Sequence, residues 1–198
     1  MKLYELTIED EMDGVFAVSL VNTPAIESEF VALSKDKEVI ELAEVSGEKR
    51  QVLGAALIPN KSIYRKGPDG EDYNIFFSKE TIQQVQENFM KAKNTDNMTL
   101  EHNQPIEGVS IIESWIKEGS DKSDNYGMNL PDGSWVIMAK VDSDDIWKEV
   151  KANKVLGFSI EGRFTDKLTK NKKHDEYSDQ LLNSIVDNIT KAINQYKN

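Results

Sequence analysis

A chain of 198 residues is long enough for one domain with a real core plus an appended element, and too short for two full domains. Its formal charge of −11 argues against nucleic acid as a direct partner, because phosphate binding needs clustered Lys and Arg that release counterions. The absence of cysteine excludes disulfides, a thiolate metal site and a cysteine nucleophile; no stretch has the length of a membrane span or a secretory h-region, so no membrane association and a cytoplasmic setting are expected.

The first segments, Lys2 to Ile8 and Gly14 to Val21, read as short strands joined across the acidic turn that ends at Asp13-Gly14. Asn22-Thr23-Pro24 breaks the pattern, and Lys35 to Arg50 is mainly charged with Val39, Ile40 and Leu42 interspersed, which suits a connector or an exposed strand. The run Val52 to Ile58 is continuously apolar, as in a strand covered on both faces. Ser62 to Lys66 and Asp72 to Phe77 flank Gly67-Pro68-Asp69-Gly70, a hairpin signal. Ser78 caps a predicted helix to about Lys93, with Ile82, Val85 and Phe89 on one stripe.

Met98 to His102 reads as a strand with Met98, Leu100 and His102 on one face and Thr99 and Glu101 on the other. Gly108 to Lys117 alternates so that Val109, Ile111, Glu113 and Trp115 share a face, which sets one carboxylate among apolar residues. The loop Glu118 to Pro131 is rich in Gly, Ser, Asp and Asn and is expected to be mobile and to line a cleft before the strand Trp135 to Val141. Ser143 caps a short predicted helix, Asp144 to Asn153. Beyond Thr165 the chain turns lysine-rich, then Leu182, Ile185, Val186, Ile189, Ile193 and Tyr196 recur at helical spacing. The expected organisation is a domain over residues 1–165 and a charged linker with an amphipathic tail helix over 166–198.

The stretch with the clearest chemistry is Val155 to Phe164. As a strand it places Leu156, Phe158, Ile160 and Phe164 on one face and Ser159, Glu161 and Arg163 on the other, with Gly157 and Gly162 leaving room for a substrate. Ser159 is the candidate nucleophile, although one residue too many separates it from Gly162 for a nucleophile elbow. A serine hydroxyl needs a base. Of two histidines, His174 lies in the lysine-rich run 170–175, so His102 is the candidate general base and later general acid. Glu113 is the first choice to orient the imidazole, with Asp142, Glu101 and Glu161 as alternatives. No phosphate loop or metal-ligand spacing is present, so neither cofactor nor metal is expected, and paired carboxylates of the glycosidase kind have no positive support.

Taken together and in order, Ser19 to Glu27, Gly54 to Arg65, Phe77 to Phe89, Thr99-Leu100-Glu101-His102, Glu113-Ser114-Trp115-Ile116 and Gly157 to Gly162 resemble the phage serine proteases of the XkdF type, relatives of the tailed-phage prohead proteases. The resemblance implies an α+β fold, a compact, mainly antiparallel β-barrel flanked by helices as in the herpesvirus assemblin group. It implies a serine endopeptidase that cuts scaffold and major capsid protein during prohead maturation, inside the assembling prohead in the host bacterial cytoplasm, and it admits a homodimer. His102 and Ser159 align with the family's base and nucleophile. Herpesvirus relatives use a second histidine after the serine and phage members an acid; His174 follows Ser159, but its lysine-rich setting favours Glu113. The alternative is a non-catalytic capsid-assembly or scaffold-binding protein with a protease-like fold.

Overall fold

The computed structural model describes residues 2–25, 31–33, 49–66 and 70–168. The chain divides into two compact units, Met1–Lys167 and Leu168–Asn198, and all but the last described residue belongs to the first. Most of the charged segment from Lys35, the tail helix expected beyond Thr165, and His174 lie outside the described residues.

In chain order the strands are β1 (Lys2–Thr7), β2 (Gly14–Val21), β3 (Val31–Leu33), β4 (Gln51–Leu57), β5 (Ile63–Lys66) and β6 (Asp72–Phe76), then helix α1 (Lys79–Lys91). After it come β7 (Met98–Leu100), β8 (Gln104–Pro105), β9 (Val109–Ile116), β10 (Trp135–Val141), helix α2 (Asp144–Lys151), β11 (Gly157–Arg163) and β12 (Thr165–Leu168). They form three four-stranded sheets with orders β12-β1-β6-β5, β3-β4-β10-β9 and β11-β2-β7-β8. The fold is α+β, but among the described residues it contains no closed barrel, which corrects the expectation from the resemblance. Closure needs every edge strand hydrogen-bonded to a neighbour. Here β11 lies close to β4 without pairing with it, and both sides of β4 are taken by β3 and β10.

Local signals form the elements as expected where they act over a few residues. The Ser78 hydroxyl accepts the Thr81 N–H at 3.3 Å and caps α1; the Ser143 hydroxyl accepts the Ile146 N–H at 3.4 Å and caps α2. The apolar stripe of α1, Ile82, Val85 and Phe89, is fully buried. β5 and β6 pair antiparallel with Ile63 opposite Ile75, as the glycine-rich connection predicts. β4 is buried on both faces: Val52, Ala56 and Leu57 enter the main core, and Leu53 packs with Val136, Met138 and Met128 beyond the sheet. The main core draws on all three sheets and both helices, with Trp135, Trp147, Phe89 and Phe158 its largest fully buried side chains.

β1 and β2 form where expected but do not pair with each other; they enter different sheets. Asp13 anchors the turn between them. Its Oδ2 accepts the N–H groups of Glu9 at 3.1 Å and Asp10 at 3.2 Å and the Thr165 hydroxyl at 2.9 Å, and Arg163 Nε lies 3.7 Å from Oδ1. The loop after β9 lines an open pocket through Gly119, Ser120, Asp124 and Asn129, as expected, and carries a network of side-chain contacts. The Lys117 ammonium is buried between Asp124 at 2.7 Å and Asp121 at 3.4 Å, and the Trp115 indole N–H donates to Asp121 at 2.7 Å. The hydrogen bond to Asp124 is the main cause that holds Lys117 above its ordinary pKa, and the Lys117 ammonium in turn holds Asp124 below its own.

β11, which carries the candidate nucleophile, and its neighbour β2 are shaped by one β-bulge. Glu161 pairs with Ala17 and Gly162 with Val15, so Phe16 is the extra residue on β2 and its side chain is exposed. At this point the two backbones touch: a Cβ on Gly162 would stand 2.5 Å from the Gly14 carbonyl oxygen and 2.8 Å from the Phe164 ring. Gly162 is therefore required by strand packing, whereas the sequence suggested room for a substrate.

Gly162→Ala is expected to cost about 1–3 kcal/mol of stability through overpacking, read from urea unfolding; an unchanged midpoint would show that the bulge relaxes freely. The Glu9 N–H bond is the largest cause of the depressed Asp13 pKa, opposed by burial and reinforced by Thr165, Asp10 and Arg163. A carboxyl whose folded pKa lies below its ordinary 3.8 contributes stability that is present above that value and is lost as pH falls through the folded pKa. Asp13→Asn should thus be less stable than the wild type at pH 7, with the gap closing as pH drops below about 4. Unfolding midpoints against pH measure this, and a pH-independent gap would contradict it.

Candidate active site

β2 lies at the middle of the site. It runs antiparallel to β11 and parallel to β7, and the register places Ser159, Ser19 and Thr99 in one row across the three strands. Paired residues point to the same side of a sheet. This row and Glu161 therefore form a polar face, while Phe158, Val18, Leu20 and Met98 turn into the core on the other. Ser159 keeps the predicted parity but is only 9% exposed. Its hydroxyl makes no hydrogen bond to another described residue, His102 included. Ser159 also borders a cavity of about 180 Å³ whose wall is apolar apart from Ser159 itself and Arg65.

His102 reaches the same face by a route that strand parity did not predict. β7 stops at Leu100, and Glu101 and His102 form the centre of a turn with φ of 51° and 57°, closed by the Asn103 N–H on the Leu100 carbonyl at 3.0 Å. Positive φ at two successive residues belongs to the primed hairpin turns and is unusual for residues other than glycine and asparagine. The turn carries His102 from the expected Leu100 side to the Thr99 side. There its backbone N–H donates to the buried Ser19 hydroxyl at 3.0 Å, and its Nδ1 lies 3.2 Å from Glu161 Oε1. The same Glu161 oxygen accepts a short hydrogen bond from the Thr99 hydroxyl. The Glu161 side chain is largely buried, and the imidazole is more open, at 42% exposure.

Glu113 is not part of this constellation. The short connection from the His102 strand suggests an antiparallel neighbour with Glu113 on a mostly apolar face, but β9 and β7 lie in different sheets and β9 carries a bulge at Ile112: Glu113 pairs with Met138 and Ile111 with Ala139. Neighbours on β10 face opposite sides, so the extra residue turns Glu113 away from the main core. Its carboxylate is ion-paired with Lys122, whose ammonium also sits 4.2 Å above the Trp115 ring. Of the other carboxylates considered, Glu101 accepts the Asn22 N–H at 2.6 Å, and Asp142 is exposed near Lys140 at 3.7 Å. Only Glu161 is brought to the imidazole. Ser19 and Thr99 were not singled out from the sequence; the available signal was a serine inside the otherwise apolar run Val15 to Val21.

Among the described residues no group of three or more His, Asp or Glu side chains is arranged to hold a metal ion, and no helix is long and apolar enough to cross a membrane. No curated protein and no solved structure matches the chain. Residues 39–168, two thirds of the sequence, match the model of the family described as "Putative phage serine protease XkdF", a span that contains His102, Ser159 and Glu161. The chain belongs to this XkdF family.

Proposed function

We propose that the protein is a serine endopeptidase in which Ser159 is the nucleophile, His102 the general base and Glu161 the group that orients the imidazole. The observation that carries this reading is the contact between His102 Nδ1 and Glu161 on the strand face that also bears Ser159. A carboxylate at Nδ1 favours the tautomer with its proton there, which leaves the Nε2 lone pair to act as base and stabilises the imidazolium once it forms. Thr99 holds the carboxylate from its other side, and Ser19 fixes the backbone that carries the ring.

The reaction then follows from the groups. His102 Nε2 takes the Ser159 proton as Oγ attacks a peptide carbonyl; the tetrahedral adduct collapses, the proton passes to the leaving amine, and water hydrolyses the acyl enzyme by the reverse sequence. Ser159 and His102 are not in hydrogen-bond contact without substrate, and such contacts commonly tighten only in the Michaelis complex. Scaffold and major capsid protein as substrates, and the assembling prohead as the place of action, are part of this proposal and rest on the sequence resemblance to the prohead proteases; the family description supports a phage serine protease.

Co-expression with the cognate scaffold and capsid proteins tests this, with processing followed by intact mass. Ser159→Ala and His102→Ala should abolish cleavage. Glu161→Gln should slow it by roughly 10²–10⁴-fold, by analogy with loss of the acid in other triads, while Glu113→Gln leaves it near the wild-type rate. Loss in Glu113→Gln with retention in Glu161→Gln would transfer the orienting role back to Glu113. Unchanged processing in the serine and histidine variants would favour a non-catalytic assembly protein.

A further inference from the structure

The cavity beside Ser159 has a size and lining that specify an occupant. Leu57 and Phe77 form part of its wall and are almost completely buried; Phe164 closes another side, and Ala25 and Ala56 leave space because they carry only a methyl group. A dry apolar cavity of about 150 Å³ accepts a benzene ring, so about 180 Å³ accommodates one large aliphatic or aromatic side chain. It is well below the roughly 300–1,000 Å³ of sites for whole drug-sized ligands.

Two further features narrow the chemistry. Among the described residues β11 is the edge strand of its sheet; the cavity lies on the side of Phe158 and Ile160, opposite the face of the Ser159 hydroxyl, so a polypeptide extended along this edge passes Ser159 and turns alternate side chains toward the cavity. The one charged residue in the wall is Arg65, which is exposed. Its guanidinium donates to the Tyr64 carbonyl at 3.0 Å and has no carboxylate partner among the described residues, in a chain of net charge −11. A cation in that position repels an incoming lysine or arginine and tolerates neutral groups.

We propose that this cavity is the specificity subsite of the protease, receiving an apolar side chain of leucine, methionine or phenylalanine size from the polypeptide cut at Ser159, and that Arg65 excludes basic residues there. The inference rests on the assignment of Ser159 as nucleophile. Peptidyl diphenyl phosphonates that differ only in one side chain test both layers, because Ser159 Oγ bonds to phosphorus as phenol leaves, and the adduct is read by intact mass and located by peptide mapping.

The leucine-type probe should label Ser159 at least about 10-fold faster than the alanine- and lysine-type probes, the scale on which methylenes in an apolar pocket discriminate. Ala56→Leu should remove that preference by filling the cavity. Ala25→Leu does the same from a half-buried position if Ala56→Leu does not fold. Arg65→Glu should restore reaction with the lysine-type probe. Labelling of Ser159 without side-chain preference, or a preference unchanged in the folded cavity variants, overturns the subsite while leaving the nucleophile in place. Absence of any adduct at Ser159 overturns the nucleophile assignment, and the subsite with it.

Discussion

The Ser19 hydroxyl, fully buried on β2, accepts the backbone N–H of His102, and from this bond the geometry of the site is set. Its strand is registered on Ser159 in one direction and Thr99 in the other, so a displacement of β2 moves Ser159 and His102 together. The turn that holds His102 is costly. Two successive residues that are not glycine sit at positive φ, at about 1–3 kcal/mol each. Four anchors oppose that cost: Glu101 N–H on the Leu20 carbonyl, Glu101 carboxylate on the Asn22 N–H, His102 N–H on Ser19, and the imidazole on Glu161. At about 1 kcal/mol net for each, they are of the right size to keep the turn in place. Strain held by surrounding contacts at a histidine is what a site built to fix that histidine requires.

What could be read from the sequence was whatever acts over a few residues. Ser78 and Ser143 announced their helices because a cap is a contact between residues three apart, and the hairpin of β5 and β6 was announced by its glycines and proline. The face carried by Ser159 was legible because β11 is regular from Gly157 to Glu161. Parity arguments failed where the backbone lost its period. The bulge at Ile112 turned Glu113 to the opposite side of β9, and the turn after Leu100 moved His102 from one face of β7 to the other. Neither event has a local signature, since Ile112, Glu101 and His102 are ordinary strand or surface residue types. The barrel expected from the resemblance concerns how strand edges meet, a relation between distant segments that no local pattern encodes.

The choice between the two glutamates shows how neighbours decide the use of a carboxylate. Glu113 faces a lysine held over an indole ring, a neutralised pair at a sheet edge. Glu161 faces an imidazole and a threonine hydroxyl in a largely buried position. A carboxylate already matched by an ammonium has little remaining attraction for a neighbouring imidazole, whereas one held by a neutral hydroxyl has no cation competing for it among the partners named. The sequence order of serine, histidine and acid is free in such constellations, because only the geometry must be preserved.

β11 does two jobs at once, since alternate residues serve the polar row and the core. A slip of one residue against β2 would bury Glu161 and expose Phe158, which exchanges the two faces entirely. The contact of Gly162 with the Gly14 carbonyl and the bulge at Phe16 occur at one end of this pairing, and Asp13 ties Arg163 and Thr165 just beyond it. These features give the strand one permitted register. Specificity of chemistry on one face is thereby coupled to packing on the other: the burial of Phe158, worth about 1.5–3 kcal/mol for a large apolar side chain, also holds Ser159 in the row with Ser19.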